Sequence, residues 1–383
     1  MTRKGVWDLQ QVRDKYLQEL WVNTNELMIW GSNASGALGV NAPSDVKYSS
    51  PIQVPGTTWA DINPNGKSTH YNANSTYMRK TDGTLWAWGE NHAGQLGNNQ
   101  AGHPTSKSSP IQIGSDTNWA YVTGGNNNAM AIKTDGTGWA WGQQEDYGNL
   151  GLNSRTNYSS PVQIPGTWSR LSAARFQGYG IKTDGTLWAW GAGLHGELGL
   201  NNLTKYSSPV QIPGTTWDDI ASSQVTVATK TDGTLWSWGY GEQGELGLND
   251  RTNRSSPTQV GSDTTWTSVQ ANWNHVMAFK SDGTLWNWGH NSYGMLGQNN
   301  RTEYSSPVQV PGTTWSKGSI AGTNTFAIKT DGTLWSWGYN GYGTLGQNQS
   351  GGNISSPVQI PGNWGTIVAA DNHVYATRKV LTD

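Results

Sequence analysis

The chain contains no cysteine and little charge. Without thiols it forms no disulfide and no thiolate metal site, which excludes the small disulfide-stapled secreted domains. Charged residues are only 13% of the 383, with 24 Lys and Arg against 26 Asp and Glu and a formal net charge of -2. The basic footprint that nucleic acid demands is missing, so nucleic acid is not an expected partner. Asn, Ser, Thr, Gln and Gly must furnish the surface instead, which suits a protein built into a larger assembly or exposed outside cells. Long apolar runs are lacking too. The first residues are broken by Lys4, Asp8, Arg13, Asp14 and Lys15, so neither a secretory signal nor a membrane span is expected, and synthesis in the cytoplasm is.

What the chain does have is tryptophan, 23 residues against 3 phenylalanines, and it has them periodically. A Trp-Gly pair closes a short apolar phrase at Trp30, Trp88, Trp141, Trp190, Trp238, Trp288 and Trp337. A Ser-Ser-Pro phrase keeps the same count, with prolines at Pro51, Pro110, Pro161, Pro209, Pro257, Pro307 and Pro357. Two markers recurring about every fifty residues identify a repeat array.

Each unit reads as four short strands: "SSPVQIP" with alternating apolar residues, "WxxI/V" after a Pro-Gly or Gly-Ser turn, "AMAIKTDG", and "TLWAWG". Between the last two lies Asp-Gly, at Asp82, Asp135, Asp184, Asp232, Asp282 and Asp331, a strong hairpin signal. These features predict an all-β fold, a seven-bladed β-propeller of four-stranded antiparallel blades over residues 22–383. The terminal units are complementary: Glu26 to Gly31 supplies the last strand of a blade, and the C-terminal segment supplies "SSPVQIP", "WGTIVA" and "HVYATRK". One N-terminal strand is therefore expected to join three C-terminal strands and close the ring, removing the open edges.

Residues 1–21 do not repeat. Val6, Leu9, Val12, Tyr16, Leu17 and Leu20 fall at helical spacing, which predicts one short amphipathic helix packed on the propeller or on a partner. Trp7 lies in the same segment.

"WGENHAGQLG" at Trp88 to Gly97, "WGYGEQGELG" at Trp238 to Gly247 and "WGYNGYGTLG" at Trp337 to Gly346, each followed by Ser-Ser-Pro, resemble the repeat of the regulator of chromosome condensation family. The resemblance covers nearly the whole chain and implies a seven-bladed propeller. That family's founder is an exchange factor for a small GTPase and carries an inserted wedge and a basic tail. Neither is matched here, because the connections after each Trp-Gly are short and "MTRK" holds only two basic residues. A second resemblance concerns "GVWDLQQVRD", Gly5 to Asp14, which is similar to the attachment heads of tail-associated proteins of marine bacteriophages.

Most tryptophans occupy repeated strand positions and are expected to pack between blades. Trp273 stands outside the scheme, in "ANWNHVMAF", as an exposed aromatic contact. No nucleophile elbow, phosphate loop or HExxH occurs, and Asp218 and Asp219 fall in a repeat position without an evident partner, so no enzyme is expected. The Asp-Gly aspartates are turn residues, and His70, His92 and His103 lack ligand spacing, so neither a metal nor a cofactor is expected. His275 and His373 stand where other blades carry Ser75, Asn128, Gln177, Val225 and Asn324, which reads as structural.

Antiparallel blades alternate their turns between two faces. The Asp-Gly and Pro-Gly turns share one rim, and the long inter-blade loops share the other with the turns between the second and third strands. The second rim varies from blade to blade and is the expected recognition surface. Its candidate contacts are His92, Tyr147, His195, Glu242, Trp273, His290, Tyr293 and Tyr342; the head adds Val6, Trp7, Leu9, Val12, Tyr16 and Leu20. The leading expectation is a non-catalytic bacteriophage virion protein, in a tail or fibre. It would bind other virion proteins or itself through the head, and a host-surface glycan or protein through the variable rim. The alternatives are a cytoplasmic protein-binding module of the regulator of chromosome condensation type, acting on a GTPase, and a secreted glycan-binding adhesin.

Overall fold

The computed structural model describes residues 22–382, except 57, 61–73, 145 and 274. The predicted helix and its contacts Val6, Trp7, Leu9, Val12, Tyr16 and Leu20 lie outside the described residues. Within them the fold is all β: 26 strands and two single turns of 3-10 helix, Ala34–Gly36 and His103–Thr105.

The strands form antiparallel sheets with one repeating order, Trp217–Ser222, Val225–Lys230, Leu235–Gly239 and Arg254–Gln259 being a complete example. Six sheets result, one of them seven-stranded because Tyr158–Ala173 runs unbroken from the edge of one blade into the first strand of the next. This order corrects the phase of the predicted unit. The Ser-Ser-Pro strand does not begin a blade; it pairs with the preceding Trp-Gly strand, Trp236 opposite Gln259 and Gly239 opposite Arg254, and so ends one. Between those pairs the register slips at a bulge where Gly239 holds φ of 96°, and the same slip recurs beside each Trp-Gly pair. A left-handed bulge residue favours glycine, which is why the signature is Trp-Gly.

The terminal blade is corrected in the same way. Two N-terminal strands, Val22–Ser32 and Lys47–Gln53, meet two C-terminal ones, Trp364–Ala369 and His373–Thr382, in place of one and three. Val22–Ser32 pairs with His373–Thr382 through ten registered positions, and Arg378 forms an ion pair with Glu26 across this ladder at 2.6 Å.

Tryptophan holds neighbouring blades together. Each Trp-Gly indole is fully buried and donates its N–H to a backbone carbonyl of the preceding blade's loop. Trp88 reaches Ala37, Trp141 Gln95, Trp190 Asn149, Trp238 Glu197, Trp288 Glu245, Trp337 Met295, and Trp30 Thr344, at 2.6 to 3.0 Å. The seventh bond joins residues 314 positions apart. Glycine makes the approach possible: a Cβ on Gly97 would lie 2.8 Å from Nε1 of Trp141, and one on Gly94 2.7 Å from Cα of Ser159. The "GxLG" spacing is therefore an inter-blade clamp.

Candidate functional site

The two rims follow from this frame. On the hairpin rim each Asp-Gly turn repeats one arrangement. Asp184 Oδ1 accepts from the Thr186 amide at 2.9 Å and from its hydroxyl at 2.6 Å, Trp188 Nε1 donates to that hydroxyl at 2.9 Å, and Lys182 Nζ lies 3.7 Å from the Trp188 ring centroid. The hydroxyl and amide of Thr186 hold the Asp184 carboxyl below the usual carboxylate range. The turn glycine also serves the ring, because the Trp217 amide donates to Gly185 O at 3.1 Å. Equivalent links run from Trp119 to Gly83 and from Trp266 to Gly233. These residues build the frame.

On the loop rim the frame recedes and individual residues emerge. In "WGHNSYG" Asn291 is fully buried; its Oδ1 accepts from Leu296 N–H at 3.0 Å and its Nδ2 donates to Thr302 O at 2.9 Å. Asn340 binds Leu345 N–H in the same way. These two loops are thereby folded onto their own asparagines, which leaves the residue before the clamped glycine facing solvent. At that position stand Tyr293 and Tyr342, among the few large exposed side chains. Tyr339 lies between them, its ring centroid 5.2 Å from that of Tyr293 and 6.2 Å from that of Tyr342.

Opposite these tyrosines run the inner turns that join the first two strands of a blade. They contribute Asn272, Trp273, Gly322, Thr323, Asp371 and Asn372, and together the two walls enclose an open cavity of about 350 Å³. Gly322 N–H donates to Asp371 Oδ1 at 3.3 Å, tying two of the turns together. Trp273 is backed by Arg175, whose guanidinium carbon lies 5.1 Å from the Trp273 ring and 4.6 Å from that of Phe176. Lys47 Nζ sits 4.9 Å from the Tyr342 ring.

The structure thus brings Trp273, Tyr293 and Tyr342 into one cavity and leaves the other candidates in separate loops. Tyr147 packs edge-on to Phe176, with Lys205 Nζ 4.3 Å from its centroid. His195 packs against Tyr240, whose hydroxyl reaches Glu242 at 3.2 Å. His290 sits 3.7 Å from Glu303, and His92 lies 3.2 Å from Glu90 with His103 stacked at 6.1 Å. His70 lies outside the described residues. Sequence reasoning missed Tyr339, Asn272, Thr323, Asp371 and Asn372. Aligning "YNGYG" with the other loops singles out Tyr339 and Tyr342 as a pair; the inner turns carry no comparable signal.

Buried ionisable groups lie in the seams. Asp219, expected to lack a partner, is fully buried and paired with Arg170 of the preceding blade at 2.7 Å, while its other oxygen accepts from Val269 N–H of the following blade at 3.1 Å. Repeat alignment places Arg170 and Asp219 at the same strand position in adjacent blades, a signal that the paired reading of Asp218 and Asp219 overlooked. His275 and His373 are fully buried and contact Thr325 and Thr76 at 3.0 and 3.1 Å. Burial pushes their pKa down to about 3 and about 4. Burial has the opposite sign for a carboxyl and raises Glu245 to about 7.

The regulator of chromosome condensation (RCC1) repeat matches residues 82–132, 184–225, 232–279, 282–328 and 331–377, more than half of the chain. Each match starts at an Asp-Gly turn and ends in the next blade, so the sequence repeat straddles two blades. Human WBSCR16 is 19% identical over 93% of this chain and 99% of its own, with a TM-score of 0.79. Prp20p of Saccharomyces cerevisiae is 18% identical over 94% and 93%, with a TM-score of 0.81. The yeast protein bound to Kap60 is 17% identical over 100% and 95%, also at 0.81. These likenesses are of fold.

Proposed function

We propose, because this chain belongs to the regulator of chromosome condensation repeat family, that it is a non-catalytic recognition module that holds a protein partner on its loop rim. The ring is read as seven blades closed by the ladder between the Val22–Ser32 and His373–Thr382 strands. The observation that carries the reading is the aromatic cavity of Trp273, Tyr293, Tyr339 and Tyr342. Four aromatic rings gather there from two outer loops and one inner turn, and tyrosine and tryptophan are the side chains that most often anchor a partner. Prp20p binds Gsp1p and histones, and Kap60 binds Prp20; by kinship a protein is the expected partner here. The cytoplasmic setting follows from the same kinship. The leading expectation, a virion component, rests on residues 1–21, on the charge-poor surface and on the lack of a signal-like segment, and kinship favours the regulator alternative over it. Among the described residues no helix is long and apolar enough to cross a membrane.

The test is calorimetric titration of the full chain with purified Gsp1p and, separately, with core histones. The reading expects one of them to bind, and expects Trp273→Ala with Tyr342→Ala to abolish that binding while the melting temperature holds. Binding that survives the double variant, or no binding of either protein, would count against it.

A further inference from the structure

The cavity has two chemically different walls. Tyr293, Tyr339 and Tyr342 come from the outer loops and offer ring faces; Thr323, Asp371 and Asn372 come from the inner turns and offer hydroxyl, carboxylate and amide groups, with Trp273 beside them and Asn272 buried beneath. A pyranose ring is divided in the same sense, with an apolar C–H face and a girdle of hydroxyls. Aromatic rings take the first and planar amides or carboxylates take the second.

The rings are also held before any ligand arrives. Arg175 lies between Phe176 and Trp273, Lys47 lies over Tyr342, and Tyr339 packs between Tyr293 and Tyr342. A platform fixed from behind loses little side-chain entropy on binding, which a weakly interacting neutral ligand requires. Charge selects in the same direction. Two cations, Arg175 and Lys47, flank the cavity and one carboxylate, Asp371, lines it. A cationic ligand meets the first and an anionic ligand meets the second, whereas a neutral polyol is opposed by neither. We infer that this cavity is a subsite for a neutral pyranose unit, at the end of a free oligosaccharide or of a glycan carried by a partner.

This inference rests on the reading of the loop rim as the recognition face. Saturation-transfer NMR and calorimetry on the full chain, with cellotriose, maltotriose and chitotriose as probes, test it. One of the three is expected to bind saturably at millimolar concentration, with transfer strongest to ring C–H protons. Tyr293→Ala and Tyr342→Ala are each expected to weaken that probe about tenfold, since each removes an exposed stacking face. Tyr342→Phe retains the face and is expected to retain binding, and Lys182→Ala on the opposite rim is expected to change nothing. If a trisaccharide binds, attaching it to a carrier protein separates the two sources: equal affinity means that the sugar alone is read, and tighter binding of the conjugate means a carried glycan. Absence of binding by all three probes overturns the inference, as does binding that survives Tyr293→Ala combined with Tyr342→Ala. Loss of Gsp1p or histone binding in those variants without any saccharide binding rejects the saccharide and keeps the recognition face; saccharide binding with Gsp1p and histone binding untouched rejects the protein partner and keeps the subsite.

Discussion

The two rims of this propeller share one scaffold and use it oppositely. On the hairpin rim, Asp82, Asp135, Asp184, Asp232, Asp282 and Asp331 each hold the threonine two residues on, and the lysine two residues before each aspartate covers a tryptophan ring. Asp116 and Asp263 vary this rim, forming ion pairs with Lys133 and Lys280 in the blades whose turn is Gly-Ser-Asp. On the loop rim the glycines and the Trp-Gly indoles repeat, and buried asparagines recur in four loops as Asn33, Asn91, Asn291 and Asn340, while the residues that meet solvent do not. A repeated side chain answers to its neighbouring blade. Among the side chains that depart from the repeat, Arg170, Asp219, His275 and His373 lie in the seams, whereas Trp273, Tyr293, Tyr339 and Tyr342 share one open cavity on the loop rim.

The largest effect that can break this division is loss of a relay tryptophan. Trp238→Ala empties a fully buried site between two blades and is expected to cost about 4 kcal/mol in urea unfolding. Trp238→Phe keeps most of the volume but removes the donor; Glu197 O still accepts from Tyr179 and Thr226, so the loss should be about 1 kcal/mol. If both variants were equally mild, the tryptophan relay would not be what couples the blades. Next comes Asp219→Ala, which strands Arg170 between blades without its partner and should cost about 3 kcal/mol by the same measurement.

Acid response is a subtler probe of the seams. His275 and His373 titrate at about 3 and about 4 in the fold, below the ordinary histidine value, so the unfolded chain binds more protons. Their contribution to stability is present at neutral pH and is lost as pH falls from about 6.5 toward those values. Glu245 has the opposite sign: its folded value of about 7 exceeds the ordinary carboxylate value, so it favours the fold at low pH and that contribution fades as pH rises toward 7. His275→Asn with His373→Asn, residues native to other blades at this position, should flatten the acid-side loss of Tm, and Glu245→Gln should steepen it. An unchanged pH profile in the histidine variant would mean that the seams admit water and protons freely.

The smallest stability effects belong to the surface of both rims, and there the comparison sharpens. Asp184→Ala should lower Tm slightly, because it releases Thr186 and through it Trp188. Tyr342→Ala should leave Tm nearly unchanged, because the ring is exposed and its contact with the neighbouring blade is with the exposed Lys47.

Most of the architecture was legible because propeller packing writes itself into spacing. Trp-Gly marks a bulge with a buried indole, "GxLG" marks the clamp over the next indole, and Asp-Gly marks the hairpin. The blade phase was not legible. Ser-Ser-Pro pairs backward across a long loop, and only the register of Trp236 with Gln259 reveals it. The terminal blade was misdivided for the same reason. The pairing of Arg170 with Asp219 was recoverable by comparing one strand position between neighbours. A third of the cavity lining was legible, through Trp273, Tyr293 and Tyr342. Asn272, Thr323, Asp371 and Asn372 were hidden because inner turns are short and polar in every blade, and only the ring's geometry brings three of them to one place.

The central claim is that the repeated residues build the ring and the unrepeated loop-rim residues recognise. The most direct test sets Tyr293→Ala with Tyr342→Ala beside Lys182→Ala with Trp188→Ala, measuring Tm and Gsp1p affinity for each pair. The account predicts that the tyrosine pair keeps Tm and loses binding, while the hairpin-rim pair loses Tm and keeps binding once folded. The reverse assignment would contradict it.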